Sequence, residues 1–200
     1  VEDQLLLVHA LALAVGGNQR NGAAEARPTA MVDIEVVANQ PAVARAQQLL
    51  RETDDTTLAD LLELTAIPAP PFGEGPRAKR MRERFLEIGL PEVTCDAAGN
   101  VLATWAPPGA TGSPLILAAH LDTVFPADTE IRIREENGCY HAPGVADNGR
   151  GLAALLALAR AMVAVRLPVS RPVVFVATVG EEGEGDLRGV KHLFRARSRW

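Results

Sequence analysis

The chain has 200 residues, 48% of them hydrophobic, with 25 acidic against 20 basic side chains and a formal net charge of -5. That is enough for one ordinary domain with a core, in a composition typical of globular and not of disordered proteins. The acidic balance argues against a general nucleic-acid binder. Two distant cysteines, Cys95 and Cys139, form neither a disulfide framework nor a C-x-x-C motif, and read as structural thiols.

Leu5 to Val15 is an apolar run too short to span a bilayer as a helix. Ala24-Glu25-Ala26 then supplies the A-x-A pattern of an export cleavage site, although Val1-Glu2-Asp3 is acidic where a signal peptide is positive. Two readings stand: a secretory signal of a periplasmic or secreted protein, or an amphipathic or disordered leader on a cytoplasmic one. In both, residues 1–30 are leader and linker, and the folded part is 31–200.

From Pro41, Val43, Ala46, Leu49 and Leu50 recur at helical spacing. Asp54-Asp55 can cap a second helix that Pro68 ends. A turn-rich loop, Ala69 to Gly75, leads into a third helix from Pro76 to Ile88, stopped by Gly89. Met81, Phe85 and Ile88 face its core, while Arg77, Lys79, Arg80, Arg82 and Arg84, interleaved with Glu83 and Glu87, read as a solvated face. Val93–Cys95 and Asn100–Trp105 are strands joined at Gly99-Asn100, and Ile131–Arg134 with Cys139-Tyr140 form a short hairpin. Leu115 to Ala119 lacks alternation, as a strand covered on both faces does. Leu152 to Val165 is a helix apolar nearly all round, which belongs against a sheet. Pro172 to Val179 is a second buried strand, and a helix begins near Val190. Strand, helix and strand in this order predict an α/β fold, a mainly parallel (mixed) sheet flanked by helices.

In open α/β sheets ligands collect outside the carboxyl ends of strands. His120 and Asp122 follow the first buried strand, Glu181 and Glu182 follow the second, and Asp147 precedes the helix between them. Each alone has an ordinary explanation: a core histidine, an N-cap aspartate, a solvated acidic turn. Together they bring one imidazole and four carboxylates to one rim, an inventory for holding cations and activating water. His120 would ligate through one ring nitrogen while Asp122 accepts a hydrogen bond from the other. Asp147 has two oxygens with which to bridge cations, Glu182 adds a hard ligand, and Glu181 is left as a general base.

Ala118-Ala-His-Leu-Asp-Thr-Val124, Gly144-Val-Ala-Asp-Asn-Gly-Arg-Gly151 and Gly180-Glu-Glu-Gly-Glu-Gly185 resemble the zinc metallopeptidase and amidohydrolase family of carboxypeptidase G, acetylornithine deacetylase, aminoacylase and tripeptide aminopeptidase. The loop Ile67 to Arg77 is similar to the segment preceding the core in such enzymes. The resemblance implies His120 on one zinc, Asp147 bridging two, Glu182 on the other, Asp122 supporting His120, and Glu181 as catalytic base. Co2+ or Mn2+ could replace Zn2+. It further implies a cis peptide at Asp147-Asn148, a small peptide or N-acyl amino acid substrate, and a lid domain through which a homodimer could form. A further acidic ligand and a late histidine are expected beyond Trp200, so residues 31–200 would be the first part of a catalytic domain, inactive alone. His141 stands where relatives carry glycine and reads as a loop variant; His192 reads as structural.

A nucleotide-binding loop at Gly183-x-Gly185 is disfavoured, because the third glycine falls at 189 and three glutamates would repel a pyrophosphate. No G-x-S-x-G elbow supports a serine hydrolase. The standing alternative is a peptidase-like domain that binds without turnover.

Overall fold

A computed structural model describes residues 34–196. The leader, and with it the question of export, lies outside the described residues. The elements are α1 (Ile34–Ala38), α2 (Pro41–Glu52), α3 (Asp54–Thr65), α4 (Gly75–Ile88), β1 (Glu92–Cys95), β2 (Val101–Trp105), β3 (Leu115–His120), β4 (Arg134–Glu136), β5 (Cys139–His141), a wide helical turn (Val145–Arg150) running into α5 (Gly151–Ala164), β6 (Val173–Thr178), a short 3-10 turn (Gly183–Gly185) and α6 (Arg188–Ala196). Among these helices none is long and apolar enough to cross a membrane.

The sheet is mixed, in the order β1-β2-β6-β3. β1, β2 and β6 pair antiparallel, and the one parallel pair among the described strands is β3 with β6, the pair that carries the site. All six residues of β6 are buried. Its period of two divides them between two cores: Val173, Phe175 and Ala177 face α5, while Val174 and Val176 join Leu102 and Leu193 of α6 on the other side. Helices therefore flank both faces.

α5 explains its own composition. It packs against β3 and β6 below and α2, α3 and α4 above, so a helix with apolar residues nearly all round has few faces left for water. Met81 and Phe85 of α4 close the same core, Phe85 lying 6.2 Å from Phe175 between ring centroids.

Several details differ from the expectations. β3 is not covered on both faces: Ala118 is exposed and Leu115, Ile116 and Leu117 are half-buried, because β3 ends the sheet among the described strands. Asp54 and Asp55 make no side-chain cap; they lie inside the first turn of α3, where negative charge suits the helix dipole. The hairpin begins later than expected, at Arg134, because Asn137-Gly138 forms its turn with φ of 53° and 76°. Asn-Gly is the favoured pair where two successive residues need positive φ. Arg77 does not belong to a solvated face but is 1% exposed. Arg80 and Arg84 are partly buried in an ion-pair network that joins α4 to Glu63 and buried Asp60 of α3. Cys95 and Cys139 are free and exposed.

Leu156 of α5 is fully buried, and removing most of its side chain leaves a cavity walled by both sheet and helices. Leu156→Ala is expected to lower unfolding stability by about 2–5 kcal/mol, read by denaturant titration.

Candidate metal centre and active site

β3 and β6 end side by side, Leu121 N–H donating to Thr178 O at 2.7 Å, so the residues that follow each strand leave the sheet at one rim. His120 closes β3 and is nearly buried. Its Nδ1 lies 2.9 Å from the Asp122 carbonyl oxygen and Nε2 lies 2.9 Å from Asp147 Oδ1. Glu181 Oε2 is 4.0 Å from the same Nε2. One donor atom each from His120, Glu181 and Glu182 lies within 4.8 Å of the others. The structure thus brings together all five residues expected from the sequence. Among the described residues the group of three donors that meets this limit contains Glu181, while Asp147, its side chain 75% exposed, approaches through His120. The peptide Asp147–Asn148 is cis.

Asp122 differs from expectation in what it holds. Its carboxylate is 3.6 Å from His120 Nδ1, beyond hydrogen-bond range, and the ring is oriented instead by the Asp122 main-chain carbonyl. Both carboxylate oxygens are already engaged: Oδ1 accepts from Glu181 N–H at 3.0 Å and Oδ2 from Glu182 N–H at 2.8 Å. One fully buried carboxylate therefore fixes the backbone of both glutamates.

The electrostatics follow from crowding. Burial lowers the His120 pKa, but the carboxylates of Asp122 and Asp147 outweigh it and raise it to about 9. Burial alone would raise Asp122; its contact with His120 and the N–H groups of Glu181 and Glu182 hold it below its ordinary value instead. Glu182 is pushed up by burial, then by the charges of Glu181 and Asp147. A cation would relieve this cluster, and with Nδ1 donating to a main-chain carbonyl, deprotonated Nε2 offers its lone pair to the same space. The donor set of one imidazole and several carboxylates suits zinc or a similar divalent ion.

Three polar residues that sequence reasoning did not assign to the site support it, Asn100 and Arg77 buried and Arg188 partly buried. Asn100, fully buried, accepts from Val179 N–H at 3.0 Å and donates to Gly189 O at 2.9 Å, gripping both ends of the glutamate loop. Arg188 pairs with both oxygens of buried Glu74 at 2.7 Å, donates to Ala98 O at 2.8 Å, and lies 5.0 Å from the centre of the Phe72 ring. Arg77 donates to Leu121 O at 2.7 Å, in the peptide between His120 and Asp122. Only Arg77 had a readable signal: it stands four and eight positions before Met81 and Phe85, on the buried stripe. The loop closes on Gly185, where an added Cβ would lie 2.5 Å from Gly180 Cα. His141 is exposed on β5, and His192 sits near Asp96, away from the cluster.

The mixed sheet and the rim it carries are similar to those of peptidase domains of known structure. Residues 116–199, with all three motifs, match the model of Peptidase family M20/M25/M40, and the metallopeptidase resemblance of the sequence holds for this chain. Among solved structures, a tripeptidase from Staphylococcus aureus is similar at 27% identity and TM-score 0.53, covering 66% of this chain and 40% of its own. Aminopeptidase PepT from Bacillus cereus is similar at 25% identity and TM-score 0.58, covering 76% and 40%. Human carnosine dipeptidase 1 shares the fold at 16% identity and TM-score 0.65, covering 80% and 39%. The chain thus spans about 40% of the length of these solved relatives. No curated protein matched.

With metal removed, the raised pKa of His120 stabilises the fold fully below about pH 6.5, and the contribution is lost as pH rises through about 9. Thermal melts in chelator should therefore show stability falling across that interval in the parent protein and a flatter profile in His120→Ala.

Proposed function

We propose that the protein containing this chain hydrolyses a peptide or N-acyl amide bond with metal-activated water. The observation that carries the reading is the convergence of His120, Glu181 and Glu182 donor atoms within 4.8 Å, with Asp147 on His120 Nε2. The family match over residues 116–199 and the peptidases similar to this chain support it.

His120, Asp147 and Glu182 are the residues that would hold the metal, Asp147 offering two carboxylate oxygens. Zinc bound there would supply Lewis acidity toward a scissile carbonyl and make water a nucleophile at neutral pH. The chain's own residues do the rest. Glu181 takes the proton of the attacking water through its carboxylate and later delivers it to the leaving amine nitrogen. Asp122 holds the main chain under Glu181 and Glu182 and, through its carbonyl, the tautomer of His120. The substrate class is a small peptide or N-acyl amino acid. The remaining ligands, the substrate-enclosing lid and any dimer it forms are proposed to belong to the rest of the protein.

In the whole protein, Glu181→Gln should retain zinc while turnover of a peptide and N-acyl amino acid panel falls by about 10²–10⁴-fold. Normal turnover in that variant would remove Glu181 from the mechanism. Asp147→Ala should lose metal by elemental analysis, and unchanged content would refute its place as a ligand. A parent protein that binds zinc but turns over nothing in the panel would favour the binding-domain alternative.

A further inference from the structure

Arg77 stands in the first turn of α4 with its guanidinium inside the protein, 1% exposed. Its partners are main-chain carbonyls: Nε donates to Ile67 O at 3.0 Å, Nη1 to Leu121 O at 2.7 Å, and Nη2 to Ile67 O and weakly, at 3.5 Å, to Thr65 O. No carboxylate pairs with it among the described residues; the acid whose charge reaches it is Asp122. Burying a cation without an ion-pair partner is costly, and a neutral side chain would brace a loop more cheaply. What distinguishes the placement is the carbonyl it grips. Leu121 O belongs to the peptide joining His120-Leu121 to Asp122. From that peptide onward, the Asp122 carbonyl orients His120 and the Asp122 carboxylate holds Glu181 and Glu182.

We infer that Arg77 is a positioning residue of the metal centre, fixing through the Leu121 carbonyl the peptide on which His120, Asp122, Glu181 and Glu182 all depend. The planar fork reaches Ile67 and Leu121 together, so the loop before α4 and the end of β3 are locked to one another. Lysine would keep the charge and lose the fork. This inference rests on the proposed metal site, and the two are tested separately.

The test compares the whole protein with Arg77→Lys, Arg77→Met, His120→Ala and the exposed control Arg82→Ala. Two readouts are taken well below each Tm. One is zinc affinity, by competition with a chromophoric chelator. The other, without metal, is hydrogen exchange of the segment 179–185. Arg77→Met should weaken zinc binding by about 10–100-fold and speed exchange at the Glu181 and Glu182 amides, with Arg77→Lys intermediate and Arg82→Ala unchanged. If Arg77→Met does not fold, Arg77→Lys decides. Folded Arg77 variants with parental affinity and parental exchange, losing only Tm, would overturn the inference and leave Arg77 a brace for α4. A parent protein that binds no zinc, or binds it equally in His120→Ala, would instead overturn the metal site, and exchange alone would then judge Arg77.

Discussion

The structure turns on the carboxylate of Asp122. It is fully buried, and its two oxygens accept N–H groups from Glu181 and Glu182, residues 59 and 60 positions away in sequence. Hydrogen bonds to an ionised group are among the stronger ones, and a buried carboxylate left without them would be expensive. The end of β3 and the loop after β6 are therefore not merely adjacent. They are held by a contact whose loss would leave a charge in the interior, and side-chain placement at the rim follows from it.

Around that contact lies a tier of main-chain grips. Asn100 holds Val179 and Gly189, Arg188 lies along Gly180 with Glu74 behind it, and Arg77 holds Leu121. The clustered carboxylates are carried on short loops, while side chains from the turn before β2, from α4 and from α6 hold the main chain of those loops. Rigid placement of this kind lets several carboxylates stay close although their charges oppose it.

How much of this was legible follows from the range of each signal. The unbroken apolar runs of β6 and α5 announce burial locally, and the three acidic motifs at element ends announce a rim. The supporting tier was mostly illegible. Asn100 reads as a turn residue, and its partners Val179 and Gly189 are far along the chain. Arg188 pairs with Glu74 at a separation of 114 positions. Arg77 was readable from its place on the Met81–Phe85 stripe, but five basic residues in one helix suggest solvent first. Asn137-Gly138 was readable too, and it is what moves the hairpin to Arg134. For Asp122, the place after β3 was legible, and the structure sets it beside His120 as its position suggests. The detail that escaped was which of its oxygens faces the imidazole, and that depends on where two distant N–H groups arrive.

The parallel pairing of β3 with β6 also bears on the order of assembly. Parallel neighbours need a crossover, and here the crossover carries the hairpin, the Asp147 turn and α5 before β6 can dock. Contacts closed over such spans form slowly, because the chain entropy is spent before the contacts return it. His120 meets Glu181 and Glu182 because β6 pairs in register with β3 on the far side of α5 in the chain. The site is thus a property of the paired sheet: its donor atoms come from both sides of a crossover and from neither side alone.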